Sequence, residues 1–186
     1  MLIGITGTDG AGKGSVVEYL VARHNFVHYS SRALIMEEVA SLGLEPIRTN
    51  LAVVGNKMRA EQGEDVIVKT ALAKVSQTGA KRTIIESIRA EQEAVTLQKA
   101  GGILLAVDAP VLVRYERIVG RGTATDKVSL EEFKQQEELE MNDQRPGGMQ
   151  KAKVMQMADY TIMNDGTITE LAEKIEEFLR KVGDSK

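Results

Sequence analysis

The chain has no cysteine among its 186 residues. Disulfides, thiolate metal sites and cysteine nucleophiles are therefore excluded. It also has no strong excess of one charge. The formal net charge is −3, which argues against a surface built to neutralise a nucleic-acid backbone. Histidine is scarce, with His24 and His28 the only two. Four residues apart, they would share one face of a helix. The stretch between them reads instead as a helix end followed by a strand, which argues against a zinc site. Long apolar runs are missing as well. The longest after the N-terminus, "GGILLAVDAPVLV" at 101–113, is broken by Asp108 and Pro110 and is too short to span a bilayer. The first residues lack the basic segment of a secretory signal, so the cytoplasm is the expected compartment and no membrane partner is expected. No internal repeat or low-complexity linker is visible, only the short polar tail "VGDSK".

What is present is the mixture of an ordinary globular protein, 42% hydrophobic and 27% charged. The length is that of one domain, expected to span 1–186. Five short β-like runs stand out: "LIGIT" (2–6), "FVHYS" (26–30), "TIIES" (83–87), "ILLAV" (103–107) and "YTIM" (160–163). Several are apolar throughout, as strands covered on both faces are. Helical patterns fill the intervals at 13–23, 32–42, 49–62, 64–78, 90–100 and 110–120. Gly79 fits the end of the fourth and Pro110 the first turn of the sixth. Ser129 with Glu132, and Thr167 with Glu170, have the spacing of capping boxes that open two further helices. The last helix carries Ile168, Leu171, Ala172, Ile175, Phe178 and Leu179 on one stripe, read as core. Strands alternating with helices predict a five-stranded parallel sheet in a three-layer α/β/α sandwich, with ligands at the carboxyl ends of the strands.

The first of those ends is the most informative. "GTDGAGKGS", residues 7–15, fits G-x-x-x-x-G-K between an apolar strand and a helix. Glycines let such a loop wrap closely, so that backbone N–H groups point at phosphate oxygens. Lys13 can add its charge between two phosphates. The expected phosphate-loop residues are Gly7, Asp9, Gly10, Ala11, Gly12, Lys13, Gly14 and Ser15. In most such loops a Ser or Thr follows the lysine directly. Here Gly14 intervenes and Ser15 supplies the hydroxyl.

That variant resembles the loop of adenylate kinases and their relatives, G-x-x-G-x-G-K-G-[ST]. The resemblance implies the P-loop NTPase fold. It also implies a kinase using ATP and magnesium on a small phosphorylated acceptor. "TDGAGK" also resembles the loop of thymidylate kinases, whose acidic residue faces the acceptor; the Asp-Arg-aromatic motif of those enzymes is absent. "TIIESIRAEQ" is similar to the D-G-[FI]-x-R segment of nucleoside-monophosphate kinases. Glu86 stands for the usual Asp and Ser87 for the Gly. The resemblance gives Glu86 and Ser15 to magnesium and Arg89 to the acceptor phosphate.

"RYERIVGRG" puts Arg114, Arg117 and Arg121 at intervals of three and four, on one helical face. It resembles the lid entry of adenylate kinases, where arginines stabilise the transferring phosphoryl. Arg117 and Arg121 are the catalytic candidates, with Lys13 and Arg89. "YTIMNDGTITEL" resembles the C-terminal strand, turn and helix of dephospho-coenzyme A kinases and adenylate-kinase-like proteins. It implies that Asn164 and Gly166, with Asp165 between them, line the adenine pocket.

"EEVASLGLEPIRTNL…MRAEQGEDVIVKTAL" is similar to acceptor-side helices of adenylate-kinase-like proteins related to dephospho-coenzyme A kinases. An acceptor-side helical region over about 31–79 and a short lid over about 117–145 are expected. Met36 stands where the family has an acceptor arginine, which leaves Arg32 or Arg59 as substitutes. The expected activity is transfer of the γ-phosphoryl of ATP to a nucleoside or deoxynucleoside monophosphate. A dephospho-coenzyme A kinase-like activity and a nucleotide-binding regulatory module are the alternatives. No guanine-specific N-K-x-D motif accompanies the loop, which argues against a GTPase. Oligomeric state is left open.

Overall fold

The computed structural model describes residues 1–121, 129–141 and 150–183. Strand β1 (Leu2–Gly7) runs through the middle of a parallel sheet. Strand β3 (Thr83–Glu86) lies on one side of it and β4 (Ile103–Asp108) on the other. Strand β2 (Val27–Ser30) flanks β3, and β5 (Tyr160–Met163) flanks β4, giving the order β2-β3-β1-β4-β5. Parallel neighbours need long crossovers. Helices α1 (Lys13–His24), α2 (Ser31–Ser41), α3 (Arg48–Gln62) and α4 (Val66–Thr78) lie between β1 and β3 in the chain. Helix α5 (Glu91–Lys99) links β3 to β4. After β4 come α6 (Val111–Arg121), α7 (Leu130–Met141) and α8 (Lys151–Gln156), and α9 (Ile168–Gly183) follows β5.

The registers set the working edge. Ile5 pairs with Glu86, Ser30 with Glu86, and Gly7 with Val107. The carboxyl ends of β1, β2, β3 and β4 therefore lie together, and the loops that follow them converge.

Side chains alternate across each strand, so two cores form. Ile3, Ile5, Ile84, Leu105 and Ile162 pack with Val16, Leu20, Ile175 and Phe178 from α1 and α9. On the other face, Ile85 and Leu104 pack with Leu34, Met58, Ile67, Leu97 and Val154. Gly4 belongs to this second face. A Cβ there would lie 2.2 Å from a methyl of Leu97, so α5 approaches the sheet only over a glycine.

The expected three-layer sandwich with five parallel strands is what the chain forms. Several boundaries differ. Phe26 is buried but precedes β2. The fourth helix begins at Val66, because Gly63 has φ 98° and Asp65 occupies the cap position, accepting from the Thr96 hydroxyl at 2.5 Å. Helix α8 has no counterpart in the sequence reading. Ile168 was placed on the core stripe but is 70% exposed at the first turn of α9. The two capping boxes form: Ser129 and Glu132, and Thr167 and Glu170, each bond reciprocally. The two histidines part, His24 bonding to Glu176 and His28 to Glu86. Among the described residues no helix is long and apolar enough to cross a membrane. Of the expected lid, residues 122–128 and 142–145 lie outside the described residues.

Candidate functional site: a phosphate-binding loop

The loop after β1 is shaped by three glycines. At Gly7 a Cβ would stand 1.9 Å from the Val107 carbonyl oxygen, so β4 closes on the strand end. Gly10 and Gly12 have φ 81° and 93°, left-handed values that turn the chain into α1. Gly14 meets nothing within 4 Å of a Cβ position, so the first turn of α1 stands open on that side. This arrangement turns the amino end of α1 toward the carboxyl edge of the sheet, where its unsatisfied N–H groups favour anions.

A cavity of about 730 Å³ opens at this end of the sheet. Among the expected residues, Asp9, Gly10, Gly12, Lys13, Gly14, Ser15, Glu86, Arg89, Arg117 and Arg121 line it. The fold thus brings together expected residues from three separate segments, 9–15, 86–89 and 117–121. Gly7 and Ala11 support the loop from behind. Asn164 and Gly166 are not on the cavity wall. Asn164 is buried, and its side-chain amide donates to the Ala11 carbonyl at 2.8 Å. Its own carbonyl accepts from Arg117 at 3.1 Å. It therefore braces the loop, where an adenine contact was expected. Gly166 sits in the exposed turn before α9, close against the Glu170 carboxylate.

The three arginines of α6 separate by role. Arg114 is buried; its guanidinium forms a two-point pair with Glu137 of α7 and also donates to the Ala109 carbonyl at 2.7 Å. It ties α6 to α7 and is not a lid residue facing phosphate. Arg117 and Arg121 reach the cavity. Arg32 is exposed on α2, and neither it nor Arg59 lines the cavity.

The electrostatics are concentrated on the loop. The Lys13 ammonium donates to the carbonyls of Gly7 at 3.0 Å and Thr8 at 2.7 Å, with Asp9 at 3.5 Å. Burial pulls its pKa down, Asp9 pulls it up, and Lys151 and Arg89 push it further down, for a net lowering. Burial alone would raise the Asp9 carboxyl. Lys151 and Lys13 outweigh burial and hold it well below the usual carboxylate range. Glu86 is held low first by the hydrogen bond from His28, at 3.0 Å, against a smaller burial cost.

Several site residues carried no readable signal. Lys151 of α8 lines the cavity and pairs with Asp9 and Glu140. His28, on a strand edge, reaches Glu86 across 58 residues of chain. Glu93 is buried and its carboxylate accepts from the backbone N–H groups of Arg89 at 2.8 Å and Ala90 at 3.1 Å, fixing the turn that carries Arg89. Its spacing from Ala90 was the only available hint. Ser87 has φ 70°, which explains why related loops place glycine there.

The chain matches the AAA domain family over residues 3–143. A UPF0200 protein of Thermococcus onnurineus (strain NA1) is 30% identical to it, with 98% of each chain covered. A UPF0200 protein of Methanoculleus marisnigri is 27% identical, covering 98% of this chain and 97% of the other. Among solved structures, shikimate kinase from Acinetobacter baumannii in complex with shikimate superposes with a TM-score of 0.56 at 19% identity, over 97% of this chain and 93% of that one. An uncharacterized protein from Eubacterium ventriosum superposes at 0.64 with 15% identity, over 97% and 98%. At these identities the structures speak for the fold alone. The chain belongs to the AAA domain family and to the UPF0200 proteins, and it has the fold of P-loop kinases.

Proposed function

We propose that this protein is a phosphotransferase that moves the γ-phosphoryl of ATP to a small anion-bearing acceptor, foremost a nucleoside or deoxynucleoside monophosphate. The observation that carries this reading is the convergence of four cations, Lys13, Arg89, Arg117 and Arg121, on one cavity beside a glycine loop. A protein that only binds a nucleotide has no need of charge on both sides of the terminal phosphate. Two phosphorylated molecules meeting end to end do need it.

ATP would lie with its β- and γ-phosphates in the Gly7–Ser15 loop, cradled by backbone N–H groups. Lys13 would turn from the Gly7 and Thr8 carbonyls onto those phosphates. Arg89, held by Glu93 through its own backbone, would receive the acceptor's anion. Arg117 and Arg121 approach from α6 and would stabilise charge on the transferring group. An acceptor oxygen forms the new bond to the γ-phosphorus as the bond to the β-bridging oxygen breaks, and ADP leaves. The residues fit magnesium: the Ser15 hydroxyl and Glu86 carboxylate are oxygen donors on the same cavity wall. When bound, the ion would neutralise phosphate charge. The helical region 31–79 and the segment from about 117 to 145 are proposed as acceptor wall and lid of the same unit.

A molecule joining adenosine to an acceptor nucleoside through a polyphosphate tests this reading by calorimetric titration. It should bind far more tightly than ATP. Arg89→Ala should remove most of that gain and leave ATP affinity nearly intact. Equal affinity for ATP and for linked ligands across a range of acceptor bases would contradict the proposal.

A further inference from the structure

Lys151 is 4% exposed, yet it lines the same cavity as Arg89 and Lys13. Its ammonium lies 3.0 Å from one Asp9 carboxylate oxygen and also pairs with Glu140 of α7. A lysine ammonium has three donors. Among the described residues two of them go to these carboxylates. Both partners also border the cavity, and neither is deeply buried: their side chains are 46% and 35% exposed.

Lys151 is also tied to Arg89 through the backbone. The Gln150 N–H, one residue before Lys151, donates to the Arg89 carbonyl at 2.9 Å. The start of α8 is thus joined to the turn after β3. Asp9 pairs with both Lys151, at 3.0 Å, and Lys13, at 3.5 Å, and so links the loop to the start of α8.

A fixed structural strut would not need its cation on the cavity wall, between two acids able to turn outward. We propose that Lys151 is a second ligand, beside Arg89, for the anionic group of the acceptor, and that Asp9 and Glu140 hold it in readiness until that anion displaces them. The ligand class is a phosphate monoester or another compact dianion. This inference rests on the nucleotide reading only in assigning the other half of the cavity to ATP.

The test uses inorganic phosphate as probe, titrated into the full chain with ADP at saturation so that the loop is filled. Lys151→Met should weaken phosphate binding by about tenfold or more, the scale of one charge-assisted hydrogen bond. ADP affinity should stay within about twofold, because Lys151 is assigned to the other half. Lys151→Arg should keep phosphate binding. A purely structural role would lower the melting temperature of Lys151→Met and leave its phosphate affinity at the wild-type value, which would overturn the proposal. Should Lys151→Met not fold, Glu140→Gln decides. It frees Lys151 from one competitor and should tighten phosphate binding, and unchanged or weaker binding overturns the inference. If wild type binds no ADP, the nucleotide reading falls. Phosphate binding that still depends on Lys151 would then sustain the anion site by itself, and phosphate binding that does not would remove both.

Discussion

The Lys13 ammonium rests 2.7 Å from the Thr8 carbonyl oxygen, folded onto the loop that it ends. A cation held by two neutral carbonyls and a longer contact to Asp9, at 3.5 Å, can turn outward when a phosphate arrives, since a charged acceptor at hydrogen-bond distance is the stronger partner. Lys13→Met should therefore melt close to wild type while losing about a hundredfold or more of any ATP-dependent turnover. Thermal unfolding and single-turnover rates on the same preparations check it. Wild-type turnover in the variant would remove the loop from the chemistry.

Arg114 and Arg117 lie three residues apart on α6, Arg114 paired with Glu137 of α7 and Arg117 on the cavity wall. Glu137→Ala should remove the two-point pair of the buried Arg114 and leave only its longer contact to Asp108, at 3.8 Å. Loss of a pair at such a site costs about 3 kcal/mol. Urea denaturation should show that loss, whereas removal of a solvated pair such as Lys57 with Glu61 should change little.

Ser87 takes a left-handed backbone, φ 70°, between Glu86 and the turn to Arg89. A side chain in that region costs about 1 kcal/mol, which glycine avoids. Ser87→Gly should raise stability by up to about 1 kcal/mol in denaturant titration. A destabilised variant would show that the Ser87 side chain contributes more than its backbone strain costs.

Glu93 makes the protein's stability depend on pH in a defined direction. Burial raises its carboxyl pKa, and the N–H groups of Arg89 and Ala90 with the Arg59 charge recover only part of the shift. The folded state thus binds this proton more tightly than the unfolded chain. The group's contribution is complete below the unfolded pKa, about 4.3, and is lost as pH rises through the raised folded value. Glu93→Gln does not titrate. Wild-type stability measured against Glu93→Gln should fall as pH rises above about 4.3. A difference that stays flat with pH would mean that Glu93 titrates normally.

The legible part of the site was the part encoded locally. Gly7 to Ser15 lie within one strand-to-helix connection, so spacing alone located the loop. Strand end and arginine likewise share one short segment in Glu86 and Arg89. Lys151 meets Asp9 across 142 residues, and nothing in "MQKAKV" marks it. Helical spacing put Arg114, Arg117 and Arg121 on one face but could not say which of them α7 would claim; Glu137 decides that. Asn164 was expected to line an adenine pocket, whereas its side-chain amide bonds to the loop backbone at Ala11. The sheet was legible because its central strands are apolar on both faces. Helix α8 was not, because six residues carry too little periodicity.

The measurement that bears most directly on the account is ADP release from ATP and magnesium, followed with a panel of nucleoside monophosphates and dephospho-coenzyme A. The account predicts that at least one monophosphate drives ADP release, that a phosphorylated acceptor appears in equal amount, and that Lys13→Met abolishes both. Tight ATP binding with no acceptor-dependent ADP release across the panel would contradict it.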